Sequence, residues 1–326
     1  MDVPQGRDLH LKRVHRRWGM VNIPKVGRVR FRWTRDLPVG KRADNNNRIT
    51  GARLVQDALG WHIAFRIQAL EPEPEAHKGP EAGVDAGVNI PLALSDGNHQ
   101  DHGRPLRLPA GGADRDKWLN EAEKAKLLCL ERRAAHRKGF RKPNERTSAR
   151  LHNTYDQIKS LRATAKRRAL DWQHKTTTDL ARTYGVIVVE QLNIAGMVRS
   201  ARGTIEEPGT GVAAKAGLNR SIAQEAWGGT ITMLAYKTAR HGAALHEVPA
   251  PGTSLECSRC HTTTPGSRES QAVFACKNPL CGWTRNADLN GACNVLHRYR
   301  TTLVAVPAAG RAVARRTRGV KPTTAS

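Results

Sequence analysis

The sequence has 326 residues, enough for one large domain with insertions or for two to three smaller ones, and its formal net charge is +25 at pH 7. This excess of Lys and Arg indicates a polyanionic partner, and nucleic acid is favoured over an acidic membrane surface. No stretch approaches the roughly 18 apolar residues of a membrane span, and the N-terminus lacks an apolar signal segment. We therefore expect a cytoplasmic protein with no membrane partner, whose cysteines are reduced or metal-bound.

The first predicted elements are β-strands. Within residues 19–70, the segments GRVRFRW and GWHIAFRIQ alternate apolar with polar or basic residues, which is the period-two pattern of half-buried strands. A Pro- and Glu-rich stretch at 71–81 then predicts a linker. The apolar run GVDAGV follows, predicted to pair with IPLALS, and it contains Asp85. An ionised carboxylate there costs several kcal/mol unless it is paired or binds a cation, so the alternatives are a buried hydrogen-bonded acid and a metal ligand.

Residues 117–183 have the pattern of two basic helices. Apolar residues recur every three or four positions from Leu151 to Trp172, which predicts one apolar stripe, and Gly139 and Pro143 separate the two helices. We expect an antiparallel pair with a basic outer surface. Such a surface can be merely a solvated face, but two further basic regions, near the N-terminus and at the C-terminal end, favour nucleic-acid binding.

The later elements are also readable from their patterns. The segment YGVIVVEQLN (184–193) predicts a short buried strand that ends at Glu190. Residues 218–242 predict one helix that stops at Gly242. The segment ADLNGACNVLHRY predicts a final helix with Asp288 near its start.

Four cysteines lie between these last two helices, in a segment rich in Pro, Gly and polar residues. Their spacing, with two intervening residues in the first pair and four in the second, suits a tetrahedral zinc site on paired β-hairpins, a zinc ribbon. The predicted ligands are Cys257, Cys260, Cys276 and Cys281. Four thiolates close the metal to substrate, so the zinc is expected to be structural. We expect His261 to be a surface residue, and Cys129 and Cys293 to be small core residues.

Three acids share a similar setting among apolar or small residues. Separately each has an ordinary explanation: Glu190 as the polar end of a strand, Asp288 as a helix N-cap. Together Asp85, Glu190 and Asp288 match what a two-metal phosphodiester hydrolase needs, because Mg²⁺ takes oxygen ligands held on rigid elements. Gly83 and Gly87 are expected to let metal and phosphate approach the first strand. The order of elements is compatible with an RNase H-like α/β fold.

Three motifs of this sequence resemble the OrfB/TnpB proteins of bacterial insertion sequences. They are GVDAGVNIPLALSDG, VIVVEQLNIAGMV, and the segment that begins with CSRC and continues to ACNVL. These are relatives of type V CRISPR effectors and are often labelled transposases. The resemblance extends from about Leu9 to Val320. It implies an RNA-guided DNA endonuclease with a RuvC nuclease domain, catalytic Mg²⁺, and structural Zn²⁺ in an inserted zinc ribbon. By position, it assigns Asp85, Glu190 and Asp288 as the catalytic acids and the four cysteines as zinc ligands.

The resemblance also implies the domain organisation. It predicts a partial wedge-like β module at 1–70, the linker at 71–81, and a RuvC-like domain at 82–252 with a basic helical insertion at about 117–183. The zinc ribbon at 253–285, a final RuvC helix at 286–300 and a basic tail at 301–326 complete it. Two departures stand out. Arg285-Asn286-Ala287 precedes Asp288 where the family often has Asp-Arg-Asp, and the chain is expected to lack the family's N-terminal recognition helices.

The predicted partners are therefore DNA and a guide RNA from the transposon end. Two alternatives stay open at this point. One is a truncated remnant or regulator that binds nucleic acid without cleaving it. The other is a zinc-ribbon nucleic-acid-binding protein with an RNase H-like scaffold and no guide. A DDE-type transposase fits less well, because a zinc ribbon between the second and third acids suits RuvC.

Overall fold

The computed structural model describes residues 1–40, 43, 47–69, 73–103, 116–142 and 144–305. The fold is mixed α/β. Contacts between Cα atoms divide the chain into two units, one formed by Met1–Glu75 and Arg104–Thr176 and the other by Ala76–Gly103 and Thr177–Ser326. Among the described residues, no helix combines the length and the apolar character needed to cross a bilayer.

The first unit contains two antiparallel three-stranded sheets. One has the order β1-β5-β6, formed by β1 (Asp2–Val3), β5 (Asn47–Asp57) and β6 (Gly60–Ala69). The other has the order β2-β3-β4, formed by β2 (Lys12–His15), β3 (Trp18–Ile23) and β4 (Gly27–Arg32). Every second residue of β3 is buried, which is the pattern of a strand with one face in a core. These inward residues pack with Val3, Leu9 and Ala52 into one apolar cluster.

The first unit also contains α1 (Glu121–Gly139) and most of α2 (Ala149–Thr183), which form the predicted antiparallel pair; the end of α2, from Thr177, belongs to the second unit. The contacts between them show that the two helices run in opposite directions: Arg137, late in α1, lies 2.6 Å from Thr154, early in α2, and Glu131, earlier in α1, lies 2.8 Å from Arg162, later in α2. Leu127, Leu130 and Ala134 of α1 are buried against the apolar stripe of α2. A capping box between Asn120 and Glu123 starts α1, so its first turn is fixed by side-chain hydrogen bonds.

The second unit is built on a five-stranded sheet of order β11-β10-β7-β8-β9. Its strands are β7 (Glu81–Asp85), β8 (Leu92–Leu94), β9 (His99–Gln100), β10 (Val186–Gln191) and β11 (Ala244–Pro249). The strands β7, β8 and β9 form an antiparallel meander, which confirms the predicted pairing of GVDAGV with IPLALS. The strand β10 runs parallel to both β7 and β11.

The helices of this unit are α3 (Ile194–Met197), α4 (Val212–Glu225), α5 (Trp227–Arg240) and α6 (Ala287–Ala305), and a small hairpin is formed by β12 (Val273–Ala275) and β13 (Thr284–Asn286). One face of the sheet packs against the end of α2 and against α5, where Leu180 and Leu234 join the strand residues Val84, Ile187 and Val189. The opposite face packs against α6. The two faces alternate along each strand, as a sheet covered on both sides requires.

The prediction of one continuous helix over 218–242 is wrong. The structure has two helices, α4 and α5, joined at Ala226, whose backbone is left-handed with φ of 49°. Gly228 and Gly229 lie in the first turn of α5. Glycine is about 1 kcal/mol less favourable than alanine within a helix, so these residues weaken a continuous helix at this point. The predicted stop is confirmed, because α5 ends at Arg240 and Gly242 has a positive φ.

The structure tests two of the predicted boundaries, the end of the linker and the end of the final helix. β7 begins at Glu81, the last residue of the predicted linker, and α6 continues to Ala305. Of the predicted basic tail at 301–326, residues 306–326 lie outside the described residues.

Candidate functional site

Two acidic side chains lie at the carboxyl ends of neighbouring parallel strands. β7 and β10 pair in parallel with Val84 opposite Val189, so the next residues, Asp85 and Glu190, lie at the same level of the sheet. Because side chains alternate between the two faces of a strand, Asp85 and Glu190 are on the face opposite to the Val84–Val189 core. That face is the one covered by α6. The register of the sheet therefore brings together two of the three predicted acids.

The third predicted acid lies on the helix that covers this face. Asp288 is in the first turn of α6. The side-chain oxygen of Asn286 accepts hydrogen bonds from the backbone N–H groups of Asp288 at 2.9 Å and Leu289 at 3.2 Å. Asn286 is therefore the residue that caps α6. The capping role considered for Asp288 therefore belongs to Asn286, two residues earlier.

Glycines bring the helix close to the strand. A Cβ atom at Gly83 would lie 2.2 Å from a backbone oxygen of α6, and one at Gly291 would lie 2.8 Å from Oδ2 of Asp85. The expectation that Gly83 makes room for metal and phosphate is thus wrong, because α6 fills that space. Gly87 lies beside the site, since an added Cβ would be 3.7 Å from Oδ2 of Asp288.

Burial raises the pKa values of all three acids, and repulsion by the other two adds to the rise at Asp85. The pKa of Asp85 is about 8, because burial disfavours its carboxylate and the charges of Glu190 and Asp288 add to that effect. Burial also raises the pKa of Glu190 and of Asp288, which are 9% and 6% exposed. Three such groups ionise together only when positive charge is nearby. Their oxygen donors and their need for a cation both fit a hard divalent metal.

Two further side chains contact the acids, and sequence reasoning missed both. The Nη2 atom of Arg268 lies 3.7 Å from Oδ1 of Asp288, and its positive charge opposes the rise in pKa of all three acids. The hydroxyl of buried Thr253 donates a hydrogen bond to Glu190. Both residues come from irregular backbone between β11 and β12, where no periodic pattern marks them.

The spacing of possible ligand atoms separates two kinds of cluster. Among the described residues, two groups have ligand atoms that all lie within 4.8 Å of one another: the four predicted cysteines, and Glu256 with His261 and His297. The three acids do not form a group of this compactness.

The four cysteines have the geometry of a tetrahedral metal site. The Sγ atoms of Cys257 and Cys281 are 3.8 Å apart, and so are those of Cys260 and Cys276. Zinc–sulfur bonds of about 2.3 Å in a tetrahedron give sulfur–sulfur separations near 3.8 Å, whereas a disulfide bond is about 2.05 Å long. The cluster can therefore hold zinc, and none of these cysteines is in a disulfide.

Buried asparagines of α6 hold the cysteine segment against this helix. Asn290 accepts a hydrogen bond from the N–H of Ser258 at 2.8 Å and donates to the carbonyl of Glu256 at 2.7 Å. Asn294 donates to the carbonyls of Thr253 at 2.8 Å and Glu256 at 2.7 Å. Since both asparagines are fully buried, the backbone on either side of the first cysteine is fixed to the helix that carries the third acid.

The remaining sequence predictions have mixed outcomes. Cys129 is exposed, so its prediction as a core residue is wrong. The buried positions of α1 are Leu127, Leu130 and Ala134, which leave Cys129 off the apolar face. Cys293 is partly buried, with its sulfur 3.0 Å from the guanidinium of Arg285. His261 is exposed, as predicted.

Comparison with known proteins gives matches over most of the chain. Residues 227–295 match the family model described as the Cas12f1-like TNB domain. InsQ of Escherichia coli (strain K12), whose name describes an RNA-guided DNA endonuclease, is 30% identical over 278 residues, which are 84% of this chain and 60% of InsQ. A Streptomyces pristinaespiralis protein with the same description is 25% identical over 286 residues, covering 85% of this chain and 58% of the relative.

A solved structure is also similar. The cryo-EM structure of a Cas12f1–sgRNA–target DNA complex aligns with 76% of this chain and 45% of that chain, at 15% identity and a TM-score of 0.44. The chain thus spans about three fifths of the length of the two curated relatives.

Proposed function

We propose that the chain is a TnpB-type protein, a transposon-encoded, RNA-guided DNA endonuclease that cleaves phosphodiester bonds at its acid cluster; its similarity to the two curated relatives and to the Cas12f1-like TNB domain supports this. The observation that carries this proposal is the convergence of Asp85, Glu190 and Asp288. Two of these acids are fixed by the parallel register of β7 and β10, and the third by the helix packed on the same face. The three elements that carry them are mutually packed, as a precise catalytic site requires.

The second unit would be a RuvC-type, RNase H-like nuclease domain with an inserted zinc ribbon. Two features support this. The sheet is an antiparallel meander extended on one side by the parallel strands β10 and β11, and two of the acids lie on β7 and β10, the first and fourth strands of the sheet in chain order. The sheets of the first unit would be the wedge-like module, and α1 with α2 the helical insertion. The proposed boundaries are 1–70 for the wedge-like module, 82–252 for the nuclease domain and 253–285 for the zinc ribbon.

Each residue of the acid cluster has a role in it. Asp85, Glu190 and Asp288 would hold two Mg²⁺ ions, which activate water and stabilise the charge on the phosphate during phosphodiester hydrolysis. Thr253 fixes the orientation of the Glu190 carboxylate through its hydrogen bond. Arg268 offsets the negative charge of the cluster next to Asp288. The cysteine cluster would hold a structural Zn²⁺, closed to substrate by its four thiolates.

The partners would be DNA and a guide RNA. Base pairing between the two would read the target sequence, while the protein would bind the sugar-phosphate backbone of the duplex. The formal charge of +25 is the supporting observation. The α1–α2 pair contributes to it with exposed basic side chains such as Arg132, Arg133 and Lys166. Such contacts neutralise phosphates and do not depend on sequence.

The most informative first test is to purify the chain from cells that also carry the DNA flanking its gene, and to sequence the bound RNA. The proposal predicts one RNA species of defined sequence that derives from the transposon end. A mixture of unrelated cellular RNAs would instead support a nucleic-acid-binding protein with no guide.

We also expect Asp85→Asn to stabilise the metal-free chain, by an amount that grows as pH rises. The pKa of Asp85 is about 8 in the folded chain and near 3.9 when unfolded. Between these values the folded chain holds the extra proton, so ionisation of the unfolded state lowers the stability of the wild type as pH increases. The limiting slope is about 1.4 kcal/mol per pH unit for one proton.

The measurement is urea unfolding of both chains between pH 5 and 8 in the presence of EDTA. The stability gained by the variant should be larger at pH 8 than at pH 5, and excess Mg²⁺ should reverse the difference, because only the wild type supplies this carboxylate. A constant difference across the pH range would contradict the burial of an acid at this position.

A further inference from the structure

A second group of metal-ligating side chains lies beside the cysteine cluster. Glu256 directly precedes the first predicted zinc ligand, His261 directly follows the second, and His297 lies on α6. Their possible ligand atoms all lie within 4.8 Å of one another. All three belong to the second unit, and none takes part in the function proposed above.

The contact between Glu256 and His261 is longer than an ordinary charge-assisted hydrogen bond. The Nδ1 atom of His261 and Oε1 of Glu256 are 3.4 Å apart, against about 2.7–2.9 Å for such a bond. Two ligands bonded to one tetrahedral ion at about 2.0–2.1 Å are separated by roughly 3.4 Å. The spacing therefore suits two ligands of one ion.

The carboxylate is oriented by a neighbouring arginine. The Oε2 atom of Glu256 lies 3.3 Å from Nη2 of Arg298, while Oε1 faces His261. One oxygen is thus held by the guanidinium and the other is directed into the cluster, which is the arrangement of a monodentate ligand with a supporting partner. The positive charge of Arg298 also lowers the affinity for a cation, so we expect weaker binding than in the four-cysteine site.

The backbone places the two imidazole rings together. His261 has a φ of 55°, in the left-handed region that residues with a Cβ seldom adopt. In this conformation its ring stacks on that of His297, with centroids 3.5 Å apart and planes 10° from parallel. The stack joins the residue that follows the first cysteine pair, Cys257 and Cys260, to the helix α6. Binding of one ion by both rings requires the ring of exposed His261 to tilt out of the stack.

We propose that Glu256, His261 and His297 form a second transition-metal site. Two imidazoles and one carboxylate suit Zn²⁺, or a related ion such as Co²⁺ or Ni²⁺, better than Mg²⁺, which prefers an all-oxygen set. Three protein ligands leave a coordination position open to solvent. An ion bound there would tie the first cysteine knuckle to α6. This inference does not depend on the chain being a nuclease.

The test counts metal ions on the full chain after equilibrium dialysis against Zn²⁺, and repeats the titration with Co²⁺. With Asp85, Glu190 and Asp288 replaced by alanine in every chain tested, so that the acid cluster takes up no ion, the chain with an intact second site should hold two transition-metal ions. Only one of them should give the sulfur-to-cobalt charge-transfer absorption of a thiolate site. His297→Ala should retain that absorption and lose the second ion, with affinity reduced roughly tenfold or more, as for lost supporting ligands.

Two further variants make the outcome decisive. Glu256→Gln keeps a side chain of similar size and should weaken the second ion alone. His246→Ala is the matched control and should bind two ions, because His246 lies on β11, outside the cluster, with its ring 4.6 Å from that of Tyr299 on α6. One ion per chain with an intact second site, two ions in His297→Ala, or simultaneous loss of both ions in the two cluster variants would overturn the proposal.

Discussion

Replacing Asp85 with alanine should reduce Mg²⁺-dependent DNA cleavage by roughly 10³-fold or more, the scale of losing a residue that acts as part of a catalytic unit. Asp85 is the acid with the most strongly raised pKa, and it faces both other acids. Its carboxylate therefore lies where the negative charges of the three acids add up, which is where a divalent cation would bind. The measurement is single-turnover cleavage by the chain loaded with its associated RNA, in the presence of Mg²⁺.

The matched control is Glu247→Gln. Glu247 lies on β11, next to β10 in the same sheet, but it is exposed and outside the acid cluster. Its removal should leave the cleavage rate unchanged. Because Asp85→Ala also removes a buried ionisable group, equal RNA binding by the variant must accompany its loss of activity. Cleavage by Asp85→Ala at the wild-type rate would exclude Asp85 as a metal ligand.

Cys260→Ser should unfold the cysteine segment at residues 253–285 locally and release its metal. Structural zinc contributes roughly 10–16 kcal/mol of apparent binding free energy in zinc-finger peptides, and the segment has a small apolar cluster around Phe274 and Trp283. The segment also supplies Arg268 and Thr253 to the acid cluster. We therefore expect loss of zinc, protease cleavage within 253–285, and loss of nuclease activity together.

Cys129→Ser provides the control for this prediction. Cys129 is exposed on α1 and far in sequence from the other thiols, so its replacement should change neither metal content nor the proteolysis pattern. If Cys260→Ser kept wild-type metal content and protease resistance, the four-cysteine site would be ruled out. If the segment opened while cleavage persisted, its contacts with Glu190 and Asp288 would be dispensable for catalysis.

The elements that could be predicted from the sequence are those with a regular period or a rigid spacing. Alternation identified β4 and β6, and apolar runs identified β7 and β10 with their acids. The same alternation explains why Asp85 and Glu190 share a face, because each follows a residue that packs in the core. The cysteine spacing identified the thiol cluster, since ligands held by short knuckles are close in sequence as well as in space.

The parts that could not be predicted depend on packing between distant segments. Arg268 reaches Asp288 from an irregular segment, and nothing in the local sequence distinguishes it from other arginines. The use of Gly83 is visible only once α6 lies across β7. The break at Ala226 was hidden because alanine favours a helix, whereas its backbone is left-handed in the structure.

Guide exchange tests the central proposal most directly. The chain is loaded with its associated RNA, in which only the guide segment has been replaced, and is incubated in Mg²⁺ with two plasmids that differ only in the matching sequence. Cleavage should move to the plasmid that matches the new guide, and Asp85→Ala should abolish it. Cleavage of both plasmids at equal rates, or DNA binding without any cleavage by the wild type, would contradict an RNA-guided endonuclease.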